Sequence, residues 1–546
     1  MIGNTRQPCD EAVVRSQPDV TDCGPATGRW VLTAAILGSS ITFIDGTVVN
    51  VVLPVLQREL EAGIAEAQWI VESYALMLAA LILVGGSLGD ALGRRRIFST
   101  GVLLFALASS WCALAPTITQ LIVARGAQGV AAALLVPESL ALISANFGTQ
   151  RRGQAIGTWS GFTAIAAGIG PVLGGWLVEQ FSWRWIFLIN IPLAAVALVI
   201  AWQRVPESRN EQSKGRLDWR GATLATIGLS GIVFGLIESG SRALTTPLLI
   251  GSFTMGVVAL AGFVFAEARQ EEPMMPLGFF RSPTFAGANL LTLFLYTALN
   301  GLLFFLPFNL IQVQGYTPTA AGMALLPFVL TMFVLSRWAG GLVERYGSKL
   351  PLVIGPIIAA TGFALFALPQ AGAGSYWTSF FPAVMVMSVG MATSVAPLTT
   401  TVMSAVEDRH AGVASGINNA VARVAALLAV AVFGVFMLST FDKKLAEHLH
   451  EMPVSSEVRS QIISQSAGFV NTKVPDNVSG EVLATIRLAL RESFVSGIRL
   501  VAYLAAMLAA TSALVSWLLI GGATQRGIHS GCTEAAQHRA RSVVQH

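Results

Sequence analysis

Four charged side chains stand where the surrounding sequence is long and apolar: Asp45, Glu72, Arg125 and Glu138. A charge at bilayer depth costs about 2.5–3.5 kcal/mol or more unless it is paired or hydrated, so such residues are functional candidates by default. Asp45 could carry a proton, because a carboxylate's affinity for one changes as it meets water, a guanidinium or a cation. A static ion pair or a helix–helix hydrogen bond is the alternative for it. Arg125, counted from the nearer end of its helix at about 1.5 Å per residue, falls at a depth similar to Asp45 and is its candidate electrostatic partner. Gln128 shares the Arg125 helix face, three residues on, and is a candidate substrate contact. Glu138 lies on the same helix roughly 20 Å further along by the same rise, a candidate for proton coupling, cation recognition or pairing with Arg94. Glu72 sits about one turn into its helix. An exposed interfacial acid is the expected reading for it, with proton coupling as the functional alternative. Arg337 and Arg423 are corresponding charges late in the chain, expected to reach water or backbone carbonyls.

These charges are conspicuous because the rest of the chain has so few. Of 546 residues, 54% are hydrophobic and 12% charged, with a mean hydropathy of +0.65. A soluble domain carries about 25% charged residues, so this composition cannot coat a water-facing surface. Disorder needs low hydrophobicity and is excluded as well. A net charge of +4, thinly scattered, gives no nucleic-acid footprint. Cys9, Cys23, Cys112 and Cys532 form no paired motif and are expected to be inert. No apolar run opens the chain, so the first span is expected to be retained rather than cleaved. None of the six histidines falls in a predicted span, which argues against an intramembrane metal or histidine-dependent enzyme. With no GxxxxGK[ST] loop, energy is expected from an ion gradient rather than from ATP.

The elements that must position the four charges are membrane helices of about 20 residues. Helices are predicted at 30–54, 67–88, 97–115, 119–146, 153–178, 184–203, 219–238, 246–267, 284–312, 318–343, 350–369, 377–403, 411–438 and 496–520. Arg94, Arg95, Arg96, Arg151, Arg152, Arg204, Arg209, Lys214, Arg216, Arg269, Arg281, Arg345 and Lys349 fall in alternate loops. The opposite short loops carry only Arg58, Arg184 and Arg242. The positive-inside rule then predicts a multi-pass inner-membrane protein with both termini cytoplasmic and 439–495 outside. A repeat is visible: Gly86, Asp90 and Gly93 recur in spacing as Gly340, Glu344 and Gly347, and Gly153 and Gly157 recur as Gly412 and Gly416. This predicts an all-α fold of two six-helix halves, 30–203 and 284–520, with an inserted pair at 219–267 and tails at 1–29 and 521–546. Repeated halves with the substrate held between them are a transporter architecture.

Four segments in order, Ile44–Pro54, Gly86–Arg96, Leu121–Ile143 and Gly161–Pro192, carry a family resemblance. Together they resemble the fourteen-helix drug:proton antiporters of the major facilitator superfamily, the EmrB/QacA type, over nearly the whole of 30–520. The resemblance implies a major facilitator fold, a proton-coupling role for Arg125 and a cytoplasmic gate built from Gly86, Asp90, Gly93, Arg94 and Arg95. Ala91 stands where that family usually has a base. Gly86 and Gly93 would permit close helix approach. Asp90 would face the positive N-terminus of the eleventh helix, holding an outward-open state. Arg94 and Arg95 would anchor on acids or lipid phosphates. Gly161, Gly170, Pro171, Gly174 and Gly175 resemble the antiporter signature, a helix softened by proline and flanked by small residues. Trp183, Arg184 and Trp185 would form an outer-surface anchor.

The resulting expectation is a proton-driven exporter of hydrophobic or cationic small molecules, working by alternating access, with no cofactor and no metal. Its expected partners are substrate, protons and lipid, with no nucleic acid, and a monomer as the candidate assembly. Tyr296 and Asn300, with Gln128, are the polar substrate candidates. Phe43, Tyr74, Trp159, Phe162, Phe294 and Phe304 are candidate apolar lining, and Asn418 and Asn419 are further polar candidates. An exporter of one specific metabolite, antibiotic, sugar or siderophore fits the same motifs. A non-transporting membrane receptor is the alternative from a different class.

Overall fold

The computed structural model describes residues 25–209, 219–239, 246–270, 275–372, 374–407, 411–452, 454–472, 474 and 480–521. Predicted features in 1–24 and 522–546, and the charges Lys214, Arg216 and Arg242, lie outside these residues, as do the side chains of Arg152 and Arg337. The described residues form helices and no strand. The long helices are α1 Pro25–Glu59, α2 Ile64–Leu92, α3 Arg94–Leu114, α4 Ile118–Asn146, α5 Thr149–Gln180, α6 Asn190–Arg204, α7 Trp219–Ser239 and α8 Pro247–Arg269. They continue as α9 Pro283–Phe308, α10 Leu326–Tyr346, α11 Lys349–Leu365, α12 Phe381–Ser404, α13 Ala411–Glu451 and α14 Gly480–Leu519. Among the described residues, 13 helices are long and apolar enough to cross a membrane. The shorter α11 has 17 residues, about 26 Å of rise.

Local chemistry sets the helix ends. The Thr117 hydroxyl accepts from Gln120 N–H to start α4, and Ser282 accepts from Phe285 N–H to start α9, with Pro283 at its first turn. The two repeated glycine–acid–glycine motifs end α2 and α10 in the same way. Gly93 (φ 110°) and Gly347 (φ 74°) adopt backbone angles that a side chain disfavours, and each N–H bonds the carbonyl four residues back at 2.9 Å. The next helix then starts at once on the same side.

Neighbouring helices pack in a connected order. α2 lies along α4, α1 along α5, α3 against α4 and α6, and α7 against α8. Later in the chain α9 packs on α13 and α14, α10 on α12, and α11 on α12 and α14. These two sets meet through α2 with α13, α5 with α10, and α1 with α9, while α7 touches both α2 and α13.

Two helices run well past their predicted ends. α13 has 41 residues and α14 has 40, so most of 439–495 is helical. The reason is legible in the spacing: Phe441, Leu445 and Leu449 on one helix and Ile486, Leu490 and Phe494 on the other recur every fourth residue and are buried together. Phe469, in the connecting segment after the short helix Ser456–Ser464, stacks edge-on against both Phe441 and Phe494, at 5.1 and 5.2 Å. Trp183, expected at a surface, is buried and meets Phe187 edge-on at 6.3 Å, whereas Trp185 is exposed. Arg184 covers the Trp183 ring at 4.4 Å, so its charged head stays outward while the ring joins the core.

Candidate functional site

Asp45 on α1 and Arg125 on α4 form an ion pair with both side chains withdrawn from solvent. The Asp45 carboxylate receives donors on both oxygens: Oδ1 accepts from Gln128 Nε2 at 2.8 Å and from Asn190 Nδ2 at 3.1 Å, and Oδ2 accepts from Arg125. Arg125 Nη1 also donates to Gln128 Oε1 at 2.7 Å, and Nε donates to the Ile70 carbonyl at 3.1 Å. Asn190 Nδ2 donates to Ser109 Oγ at 3.0 Å, and Ser109 in turn donates to the Phe187 carbonyl at 2.9 Å. Five helices, α1 to α4 and α6, therefore meet in one hydrogen-bonded cluster around this carboxylate. Each of its hydrogen-bond partners is a donor, and the guanidinium supplies the charge opposite to that of a carboxylate.

Tyr74 on α2 roofs the pair, its ring centroid 4.3 Å from the Arg125 guanidinium carbon and its hydroxyl donating to the Thr42 carbonyl at 3.4 Å. Sequence reasoning put Asp45 and Arg125 at one depth but missed Asn190 and Ser109. Their polarity is ordinary, and only the tertiary fold brings them together. Gln128 belongs to this buried cluster and is fully covered, so it is not a wall of an open substrate cavity. Cys112 also closes on it, with Sγ 3.6 Å from Gln128 Oε1.

Glu72 is buried rather than exposed: it is 1% accessible, and its Oε2 has no hydrogen-bond partner. Trp69 and Leu76, one turn before and after it, pack in a small core with Val233 and Ile237 of α7 and Leu427 of α13. The interfacial position expected for Glu72 is therefore covered by the helix that follows the first six. Glu138 is also buried, and neither of its carboxylate oxygens has a partner. It lies in the groove left by Gly89, where a β-carbon would overlap the carboxylate, with Asp90, Arg94 and Glu207 within electrostatic reach.

At the arginine-rich end, Asp90 pairs with Arg94 at 2.8 Å, one turn along the same strand of chain, rather than with the start of α11. Glu207, which sequence reasoning did not single out, anchors the arginine run. Its carboxylate accepts from the Arg95 backbone N–H at 2.9 Å, in the first turn of α3, and lies 3.6 and 3.8 Å from the Arg95 and Arg96 side chains. An acid at a helix N-terminus is favoured by the dipole, and this one also neutralises two bases. The close approach of α2 and α4 is made by Gly85 and Gly89, whereas Gly86 leaves ordinary room, 3.6 Å from Pro137. Gly93 serves the turn and abuts the Glu207 carboxyl carbon at 2.8 Å from a notional β-carbon.

On α5, Gly170 and Gly174 face α1, against Thr47 and Val48, while Gly168 and Gly175 face Val329 and the Pro318 carbonyl of the second set. The Pro171 carbonyl fills the space above Gly322 in return. Gly161 meets nothing within 4 Å, so it does not make a close helix contact here. The same end is tied by Gln312 to Gln57 at 3.0 Å, by Thr319 N–H to Glu179 at 3.3 Å, and by Gln68 to the Val430 carbonyl at 2.8 Å. These three hydrogen bonds between α1–α6 and the α9–α14 region all lie away from the arginine-rich end. Toward that end Gly157 and Gly161 on α5, Gly340 and Gly341 on α10 and Gly416 on α13 meet nothing within 4 Å.

Tyr296 and Asn300 lie one turn apart on α9, Asn300 Nδ2 donating to the Tyr296 carbonyl at 2.8 Å. Asn418 on α13 donates to Asn289 and Thr292 of α9, at 3.2 and 2.6 Å, and Asn419 is exposed. Phe304 packs inside the core against Phe305 and Phe308 instead of lining a cavity, whereas Phe162 is exposed. The described residues hold no cluster of three or more metal-ligating side chains.

The described residues thus form a multi-pass helical bundle with a buried ion pair, tied by hydrogen bonds away from its arginine-rich end, a class of fold that membrane transporters use. Residues 35–430 match the Major Facilitator Superfamily, and the chain belongs to it. It is a transporter-family member and not an enzyme. It is 34% identical over 506 residues to the multidrug resistance protein Stp of Mycobacterium tuberculosis, covering 91% of each chain. It is 31% identical over 502 residues to the tetracenomycin C resistance and export protein of Streptomyces glaucescens, covering 90% of this chain and 92% of the relative. Among solved structures, a bacterial homologue of the human lysosomal transporter Spinster, inward-facing and unoccupied, shares the fold with a TM-score of 0.66 at 16% identity, over 92% of this chain and all of that one. A D-xylose–proton symporter shares it with a TM-score of 0.57 at 14% identity, over 91% and 99%.

Proposed function

We propose that this protein is a proton-driven exporter, a drug:proton antiporter that moves hydrophobic or cationic small molecules out of the cell by alternating access. The observation that carries the reading is the Asp45–Arg125 pair, a buried carboxylate that takes donors from α4 and α6 inside a cluster drawn from five helices. Protonating Asp45 removes its charge and loosens Arg125, and the helices that converge there are free to shift. Restoring the ionised pair returns the proton and the original packing. A carboxylate that exchanges between such a partner and water has the changing proton affinity that antiport needs. Resistance and export, the roles that the names of Stp and of the tetracenomycin C protein carry, support the direction of transport. Export of one specific metabolite or antibiotic fits the same scaffold.

On this reading 30–203 and 284–520 are two six-helix halves, 219–267 is an inserted pair, and the bundle spans an inner membrane fourteen times. The arginine-rich end is cytoplasmic, with both termini, and 439–495 is outside. The arrangement is then inward-open: the outer seams are closed at Gln57–Gln312 and Glu179–Thr319, and the cavity faces the cytoplasm. Asp90, held by Arg94 in this state, would turn to α11 when the inner side closes. Everted vesicles loaded under an imposed proton gradient test the function. Accumulation of an ethidium probe that collapses when the gradient is dissipated is expected; accumulation that ignores the gradient would remove the coupling.

A further inference from the structure

Arg423 on α13 is a buried-depth cation that the proton-coupling pair does not use. It lies twelve residues from the first described residue of α13, roughly 18 Å along the helix, close to the middle of a bilayer about 30 Å thick. It forms no hydrogen bond or ion pair with a described residue and is only partly covered. Its electrostatic neighbour is Tyr74 of α2, whose ring also roofs Arg125. A permanently charged guanidinium at this depth must meet water or an anion, since arginine stays protonated.

The surroundings say which face it lies on. One and two turns toward the arginine-rich end, Asn419 is exposed and Gly416 meets nothing within 4 Å. One turn the other way, Leu427 is buried against Leu76 of α2, and beyond it Gln68 bonds the Val430 carbonyl. Arg423 therefore stands between the packed part of the α2–α13 contact and the stretch of α13 where Asn419 is exposed, the closed end of the cleft on the exporter reading. Thr297 of α9 donates to the Ala425 carbonyl at 3.3 Å, which puts Tyr296 and Asn300 at about the same level. The cleft end thus offers one unpaired fork of donors among apolar and aromatic surfaces.

We propose that Arg423 is an anion-recognition point at the closed end of the transport cleft, and that the protein takes organic acids: apolar, ring-bearing molecules with one ionised carboxyl or enol group. The charged group would sit on the guanidinium, whose planar fork suits a carboxylate, and the rings would lie along the α9 face near Tyr296. This rests on the exporter reading for the cleft being a substrate path, and it narrows that reading away from exclusively cationic cargo. Asp45, Glu72 and Arg125 are the other charges of this region. Asp45 and Arg125 satisfy each other, and Glu72 faces α7.

The test is equilibrium binding to the purified full-length protein, with 1-pyrenebutyric acid, its neutral amide and the matching amine as probes. The wild type is expected to bind the acid about tenfold or more tightly than the amide. Arg423→Gln should lose that preference while its affinity for the amide is unchanged, and Arg423→Lys should keep part of it. Arg423→Glu should favour the amine, a gain that a misfolded protein cannot produce. A wild type with no preference for the acid, or an Arg423→Gln variant that keeps it, overturns the proposal. Because binding is read without a gradient, failure of proton coupling in vesicles would leave this result standing, and the two readings fail separately.

Discussion

Glu138 and Gly89 fit together as a carboxylate and the gap left by a missing side chain: the acid on α4 fills the space in which a β-carbon of α2 would stand. Both oxygens of Glu138 are buried and unpartnered, so the site depends on how closely the two helices approach. Gly89→Ala should therefore destabilise the protein by about 1–3 kcal/mol, the usual cost of overpacking a tight contact. Adding Glu138→Ala should restore most of the loss. Thermal unfolding of the two single variants and the double variant in detergent reads the coupling. Simple additivity would show that the groove is not shared.

Asp45→Asn should fold, because the amide keeps the shape and one acceptor. It should lose proton release on substrate addition and gradient-driven efflux. Asp45→Glu should retain partial activity with a shifted pH profile. If the Asn variant still releases protons and exports normally, the coupling acid lies elsewhere, with Glu138 and Glu72 next in line.

Arg125→Ala should be far more damaging to the fold than Asp45→Asn. It leaves an ionised carboxylate among Gln128 and Asn190 without a counter-charge, a loss of about 3–5 kcal/mol when a buried pair is broken from one side. Expression and monodispersity of the two variants give the comparison. Equal yields would mean that the pair contributes little to stability.

A cysteine pair at Gln57 and Gln312, whose amides meet at 3.0 Å, should cross-link with a short bifunctional reagent and stop transport, and cleaving the linker should restore it. Transport that continues through the cross-link would show that this seam need not open. Asp90→Asn should slow turnover at normal abundance, since Arg94 is its partner on the same stretch of chain and its charge matters only when the bundle changes state.

Ser456, exposed at the start of the short helix between α13 and α14, tests the orientation. With cysteine in its place, an impermeant thiol reagent should label intact cells. Protection in a well-expressed protein would invert the predicted topology.

Much of the molecule follows from composition and spacing alone. Apolar runs of about 20 residues have few alternatives to membrane helices, because the backbone must satisfy its own hydrogen bonds in lipid. The repeated glycine–acid–glycine motif marked two equivalent helix ends, and Gly93 and Gly347 adopt matching turns. Intramembrane charge was enough to single out Asp45 and Arg125, since its cost is independent of fold. What the chain could not announce was the company each charge keeps. Asn190 of α6 reaches Asp45 across 145 positions of sequence, Ser109 of α3 supports it by accepting from Asn190, and neither is unusual as a residue. Glu207 lies in a loop with no pattern of its own until it lands on the first turn of α3. Glu72 looked like an interfacial acid because its cover, α7, is a helix more than 140 positions away. Helix identity is written in local hydrophobicity, but which faces meet depends on long-range packing, and only there do a paired Asp45, a partly covered Arg423 and a buried Glu138 become different kinds of charge.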